Sequence, residues 1–230
     1  MKMDEETRDQ LDQLGYPVDG PSSRRKRPLL ICDVDEVILH LVEPFIHVIE
    51  ELGYELKSRS FKLTGNVFHR DTGREATQAE VWQGLDLLFQ QQDRRQLLVG
   101  GAGEALAELS RDLDIVFLTN MPHAYRELRK VHLANHALAH PLITNTGSKV
   151  AAVRVLQSHH DAPVGFIDDT PRNLEQVRDE VEGVHLFHFM ANEDFRSLAG
   201  EITGTSVSTG DWGAASSAIR KTLVETDAKA

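Results

Sequence analysis

The stretch Pro28-Leu29-Leu30-Ile31-Cys32-Asp33-Val34-Asp35-Glu36-Val37-Ile38-Leu39 decides how the rest of the chain is read. Leu29 to Cys32 is a short, continuous apolar run. That is the pattern of a strand buried on both faces, as in a parallel sheet covered by helices. The run stops at Asp33, and a second carboxylate follows at Asp35. Two acids at the carboxyl end of a buried strand are costly unless a cation or a hydrogen-bond network compensates them. The same edge of an α/β sheet is where ligands bind. A plainer reading makes Asp33 a helix cap and leaves Asp35 in solvent. The stretch alone does not separate the two.

Upstream, residues 1–27 are polar, punctuated by Gly15-Tyr16-Pro17 and Asp19-Gly20-Pro21, and end in the basic run Arg24-Arg25-Lys26-Arg27. They read as a mobile or loosely docked arm, with the basic run as a solvated flank. Downstream, Leu41, Val42, Phe45, Ile46, Val48, Ile49 and Leu52 are spaced for an amphipathic helix stopped at Gly53, with Pro44 in its first turn. Short alternating runs and turn residues from Tyr54 to Gly73 predict a small hairpin. Thr77-Gln78-Ala79-Glu80 has the form of a capping box opening a helix through Val81, Trp82, Leu85, Leu88 and Phe89. Residues 41–97 therefore read as an inserted module.

After Gly100-Gly101-Ala102-Gly103 a βα repeat resumes. That glycine turn lacks the GxGxxG spacing and a strand ahead of it, so it is not a dinucleotide fingerprint. Ile115 to Leu118 is a second apolar strand, ending in Thr119-Asn120. Helix 122–139, a short strand at Leu142-Ile143, a helix opened by Ser148-Lys149 and the strand Val164 to Ile167 follow, the last ending in Asp168-Asp169. A helix from Pro171 to Glu182 and a strand from Val184 to Met190 complete the alternation. Strands and helices of these lengths predict an α/β fold built on a doubly wound parallel sheet. The core is expected over residues 28–40 and 98–198, and residues 199–230 read as a tail with a terminal helix at 214–224.

Composition narrows the classes. Hydrophobic residues make up 40% and charged residues 27% of 230, the range of a soluble globular domain with a sizeable core. A net charge of -11 argues against a nucleic-acid polymer as partner. The single cysteine, Cys32, lies in the buried run and has no internal disulfide partner, which suits a reducing compartment. No membrane span or signal-peptide core is legible, so the expected location is cytoplasmic, with no membrane partner.

Three apolar strands now end in polar signatures: Asp33 to Val37, Thr119-Asn120 and Asp168-Asp169. In a parallel sheet those ends share one edge and can converge. Lys149, opening the helix before the third signature, can reach the same edge. Several carboxylates with one lysine make a hard-cation site suited to Mg²⁺. With helix N-terminal amides, such a site also offers an anion-binding face. Phosphoryl transfer needs that positive surround and an in-line nucleophile.

At this point the chain resembles the haloacid dehalogenase-like superfamily, whose four motifs occur in order. DxDx[TV] matches Asp33, Asp35 and Val37; the strand-end Thr/Ser matches Thr119; the basic residue matches Lys149; the acidic pair matches Asp168-Asp169. Singly each is unspecific, but four in order over residues 28–190 are a strong signal. The insert at 41–97 falls where that family carries a type-1 cap.

The resemblance implies roles. Asp33 is the nucleophile that forms an aspartyl-phosphate, and Asp35 the acid that protonates the leaving alkoxide and then activates water. Thr119 hydrogen-bonds a phosphoryl oxygen with help from Asn120, and Lys149 offsets the negative charge. The metal, Mg²⁺, is held by the Asp33 carboxylate, the carbonyl at Asp35 and a motif-four acid, with Asp169 favoured as the direct ligand and Asp168 bound directly or through water. An acid at Asp35 favours phosphate esters over halides, because a leaving halide needs no proton. The implied function is a Mg²⁺-dependent phosphohydrolase of a small phosphorylated metabolite, a nucleoside monophosphate or a sugar phosphate among the options.

Alternatives stay open. A phosphonatase would need a Schiff-base lysine, for which Lys57 and Lys62 stand in the insert. A phosphomutase shares the motifs and differs in how water is excluded. A binding or regulatory module with little turnover is the reading from another class. Among eleven histidines, His132, His136 and His140 share one helix face, but no carboxylate or cysteine completes a metal set. His123 is expected to border the pocket, and His185 and His188 to pack or face solvent. Phe61, Phe68, Trp82 and Phe89 read as core of the insert or as lining of the substrate mouth.

Overall fold

In a computed structural model that describes residues 3–225, the chain opens with helix α1 (Glu5–Gln13) and then strand β1 (Leu29–Cys32). The insert follows as α2 (Val42–Glu51), β2 (Tyr54–Leu56), β3 (Val67–His69), α3 (Gln78–Gln90) and the single turn α4 (Gln92–Arg95). The repeat then runs α5 (Ala102–Leu109), β4 (Asp114–Asn120), a 3₁₀ turn at His123–Tyr125, α6 (Arg126–Asn135), β5 (Leu142–Asn145), α7 (Val150–Ser158), β6 (Val164–Asp168), α8 (Pro171–Glu180) and β7 (Val184–Phe189). It closes with α9 (Glu193–Leu198), β8 (Thr205–Thr209) and α10 (Trp212–Ile219).

Six strands form one parallel sheet in the order β5-β4-β1-β6-β7-β8, with helices on both faces. This is the doubly wound α/β architecture expected from the alternation of apolar runs. Along β1 the period of two sends Leu30 and Cys32 into one core cluster and Leu29 and Ile31 into the other. In β4, Ile115 and Phe117 divide from Val116 and Leu118 in the same way. All four residues of β1 are buried, so the run reads as apolar throughout rather than alternating.

Sequence order runs from β1 outward to β4 and β5, then returns to the other side of β1 at β6. The switch point lies between β1 and β6, where a crevice opens at the strands' carboxyl ends. Register puts Cys32 beside both Phe117 and Ile167. The next residues, Asp33 and Asp168, are thus neighbours, and the Asp33 N–H donates to the Ile167 carbonyl at 3.0 Å.

The insert has its own apolar cluster, in which Phe45, Val48 and Ile49 of α2 meet Val81, Leu85 and Leu88 of α3. The capping box forms as read: the Glu80 N–H donates to Thr77 Oγ1 at 3.3 Å, and the Thr77 N–H to Glu80 Oε2 at 2.8 Å. β2 and β3 pair as an antiparallel hairpin. The chain leaves and re-enters the core through paired segments: the His40 N–H donates to the Leu97 carbonyl, and the Val99 N–H to the Ile38 carbonyl.

Two expectations about the ends need correction. Residues 3–27 are not a loose arm. Leu11 and Tyr16 are buried in the core cluster containing Ile31, Val116 and Phe166. The buried Gln10 and Thr7 side chains bond to Thr144, with Gln10 Oε1 accepting from the Thr144 N–H at 2.8 Å. The basic run is also engaged: Arg25 donates to the Tyr16 hydroxyl and lies over its ring, and Arg27 pairs with Asp114 at 3.1 Å. Nor does the core stop at residue 198. β8 extends the sheet, and Trp212, Ala215, Ile219 and Leu223 lie in the core beside Phe189. Residues 1–2 and 226–230, at the extremes of the arm and tail as read, lie outside the described residues. No helix among the described residues is long and apolar enough to cross a membrane.

Candidate active site

Three carboxylates and one ammonium meet at the switch point. Asp33, Asp168 and Asp169 each offer an oxygen within 4.8 Å of the others'. Lys149 Nζ lies 2.7 Å from Asp33 Oδ1 and 2.7 Å from Asp168 Oδ2, with only 1% of its side chain exposed. Burial works against the ammonium's charge, but the two carboxylates outweigh it and hold Lys149 above its ordinary range. One ammonium cannot balance three carboxylates. Asp33 and Asp169 are both pushed above the ordinary carboxylate range, by burial first and by repulsion from Asp168 as well; Lys149 opposes the shift at both.

The acids differ in what is left to offer. Asp168 is fully buried, and besides Lys149 it accepts from the Thr170 N–H and from Asn173 Nδ2, each at 2.9 Å. Asp169 is only partly buried, and its carboxylate accepts from the Thr170 hydroxyl at 3.0 Å. Both partners of Asp33 among the described residues, Lys149 and the Val34 N–H, fall on Oδ1. Asp33 and Asp169 therefore keep oxygen capacity facing the crevice, while the oxygens of Asp168 already accept from Lys149, Thr170 and Asn173.

The loop after β1 is fixed by its own residues. Glu36 sits at φ 60, a left-handed conformation rare for a residue with a side chain. Its buried carboxylate repays that strain by accepting from the Leu41 and Val42 N–H groups at 2.7 Å and from the Asn192 N–H at 2.9 Å. It thereby caps α2 and ties it to the loop after β7. The Trp212 indole N–H donates to the Val37 carbonyl at 2.9 Å.

Asp35 stands apart from the three-acid cluster. Its Oδ1 accepts from Arg129 Nη1 at 3.0 Å and from Gln96 Nε2 at 2.8 Å, and its Oδ2 from the Thr119 hydroxyl at 3.3 Å. Arg129, on α6, is fully buried. It also donates to Gln96 Oε1 at 3.0 Å and to Gln92 Oε1, so one guanidinium joins the core, the α4 turn and the returning neck of the insert. Of the other residues read from sequence, Thr119 is fully buried and Asn120 donates to the Gly147 carbonyl at 3.1 Å. Both line the crevice with Asp33, Asp35, Lys149 and Asp169.

No family model matches the sequence, and no curated protein does. Solved structures do match. A conserved haloacid dehalogenase-like protein of unknown function from Agrobacterium tumefaciens superposes with a TM-score of 0.61 at 13% identity, covering 84% of this chain and 97% of that one. The chain has a haloacid dehalogenase-like fold. A haloacid dehalogenase-like hydrolase from Xanthomonas campestris gives 0.59 at 11% identity over 89% of this chain and 99% of its own. A hydrolase of the same family from Deinococcus radiodurans, solved with bound phosphate and sodium, gives 0.54 at 14% over 85% and 96%.

Within this fold, Arg129 escaped the sequence reading, and His188, expected to pack or face solvent, packs in a role the sequence did not show. Arg129 lies in the charged run Arg126-Glu127-Leu128-Arg129-Lys130, where it resembles a solvated arginine. His188 is fully buried on β7, its Nε2 3.0 Å from the Asp169 carbonyl and its Nδ1 2.7 Å from Ser208 Oγ. Burial holds it below the ordinary histidine range, hence neutral. Since a carbonyl only accepts, Nε2 carries the proton and Nδ1 accepts from Ser208. His188 thus pins the backbone at Asp169. His123 does not line the crevice. It bonds instead to Asp4 and Thr144, joining α1 to β5. The His132 and His136 rings lie 5.3 Å apart with their planes tilted by 55°, and among the described residues no carboxylate joins them as a metal set.

Proposed function

We propose that the chain is a Mg²⁺-dependent phosphohydrolase of small phosphorylated metabolites, working through an aspartyl-phosphate on Asp33. The carrying observation is the meeting of Asp33, Asp168 and Asp169 within 4.8 Å around a buried lysine. Three clustered acids, two of them buried, against one ammonium leave negative charge that a hard divalent cation offsets, and oxygen-only ligands suit Mg²⁺. Asp33 and Asp169 would hold it, with the Asp35 carbonyl. When bound, it supplies positive charge against the phosphoryl oxygens.

The chain's residues do the rest. A free Asp33 carboxylate oxygen attacks phosphorus, the ester P–O bond breaks, and protonated Asp35 gives its proton to the departing alkoxide. Asp35, now a carboxylate, takes a proton from water as that water attacks phosphorus. The bond to Asp33 breaks, giving inorganic phosphate, the free carboxylate and Asp35 protonated again. Lys149 holds Asp33 in place and offsets developing charge. To reach a leaving oxygen, Asp35 has to trade a contact with Arg129, Gln96 or Thr119. Because Gln96 belongs to the neck of the insert, this exchange ties proton transfer to the position of residues 41–97, which act as a cap.

The test is phosphate release from a generic aryl phosphate with and without Mg²⁺, in the parent and in Asp33→Asn. The proposal predicts Mg²⁺-dependent turnover that falls about 10⁴-fold or more in the variant. No turnover in either protein over a broad ester panel would favour a binding module.

A further inference from the structure

The crevice has a second, connected compartment, and its walls bear on the leaving group. The polar compartment, about 230 Å³, carries Asp33, Asp35, Thr119, Asn120, Lys149 and Asn173. The neighbouring one, about 380 Å³, is walled by Val42, Phe61, Val81, Met190 and Phe195. Leu41, Leu63, Trp82, Leu85, Asp169 and Thr170 line both, so a single ligand can occupy the two at once. That size is ample for a ring system.

A leaving group entering the larger compartment finds almost nothing to hydrogen-bond. Glu36 reaches it, but the residue is 1% exposed and its carboxylate is engaged by three backbone amides. Lys62 and Thr64 also line it, and both are exposed to solvent. Asp169 and Thr170 line it only where it joins the polar compartment. The remaining walls are aliphatic or aromatic, and Phe61 and Phe195 are already set edge to face at 5.9 Å. Trp82, 52% exposed on α3, leaves a large aromatic surface in solvent where the compartments join. A polyhydroxylated body would lose water there without gaining partners, whereas a ring would displace water from apolar walls and stack on the indole.

We infer that the physiological ester carries an apolar, ring-bearing alcohol as its leaving group, with phosphate in the polar compartment and the ring against Trp82. This rests on the phosphohydrolase reading and narrows its substrate class away from sugar phosphates and nucleotides.

The experiment compares primary-alcohol esters of similar intrinsic reactivity: benzyl and 2-naphthylmethyl phosphate against glucose 6-phosphate, ribose 5-phosphate and nucleoside 5′-monophosphates. The expected preference in kcat/KM is about 100-fold or more for the ring esters. Trp82→Ala should reduce it about tenfold, mainly through KM. A binding arm needs no turnover: in Asp33→Asn protein with Mg²⁺, 2-naphthalenemethanol should quench tryptophan emission and glucose should not, and Trp82→Phe, which keeps the buried Trp212, should lose the response. Equal or better turnover of sugar phosphates or nucleotides, or a quench that persists in Trp82→Phe, overturns the inference. If no ester is turned over while the Trp82-dependent quench is seen, the phosphohydrolase reading fails and the ligand class stands. If neither is seen, both fail.

Discussion

The two walls of the crevice are built from different materials. On the sheet side, Asp33, Lys149 and Asp168 are locked by charge-assisted bonds of 2.7 Å, and the neighbouring backbone is held by His188 and Glu36. On the insert side, Leu41, Leu63, Trp82 and Leu85 make an apolar surface with no comparable network. The sheet wall fixes positions tightly enough for chemistry. The insert wall offers shape and apolar area, which in the proposed function select a leaving group without reacting with it. Arg129 is the seam, since it touches Asp35 on one side and Gln92 and Gln96 on the other.

Breaking the seam should have the largest effect on stability. Arg129→Met leaves the oxygens of Gln92 and Gln96 without a donor and Asp35 without its buried counter-charge. The expected loss is about 3–5 kcal/mol, read by urea denaturation. A loss under about 1 kcal/mol would mean the insert and core are coupled mainly by apolar packing.

The sheet wall is probed next, through its ion. Asp33 and Asp169 have folded-state values raised above their unfolded ones. Without an ion, their contribution to stability is present at low pH and is lost as pH rises through those raised values. An ion relieves that loss only where the carboxylates are ionised. Saturating Mg²⁺ should therefore raise the melting temperature more at about pH 8 than at about pH 5.5, and roughly 2.7 kcal/mol is expected at a hundredfold excess over Kd. Buried His132, pushed down to about 4, acts in the opposite sense, its contribution present above the ordinary value of 6.5 and lost as pH falls. It does so with or without Mg²⁺, so the difference isolates the acids. An equal shift at both pH values would remove the cluster as the binding site.

The insert wall gives the smallest effect. A methyl at Gly84 would lie 3.0 Å from Ile49 Cγ2 and 3.1 Å from Phe45 Cε2, where α2 and α3 approach closely. Overpacking costs about 1–3 kcal/mol, while helix propensity returns about 1 kcal/mol for Gly→Ala. Gly84→Ala should thus be destabilised by roughly 1 kcal/mol, with the Mg²⁺-induced shift unchanged. A loss of that shift would show that the two walls are not separable.

The same contrast accounts for what the sequence disclosed. The sheet wall was legible because β1, β4 and β6 are apolar runs buried on both faces, and each ends abruptly in polar residues at one edge. Lys149 and the acidic pair could be placed for that reason. α1 was not legible, since it docks largely through the buried polar side chains Thr7 and Gln10, which hydrophobic periodicity does not register. β8, Thr205 to Thr209, is a polar edge strand and carries one apolar residue, Val207. Arg129 and His188 are polar residues whose partners are far away in the chain, and only three-dimensional pairing gives them a role.

The central claim is that phosphoryl transfer runs through Asp33. Its most direct test is a single turnover of a slow phosphate ester with Mg²⁺, quenched in acid, digested and read by mass spectrometry. A phosphate mass on the peptide containing Asp33, absent in Asp33→Asn, is the predicted result. Turnover with no phosphopeptide at any quench time, or with phosphate on another residue, would contradict it.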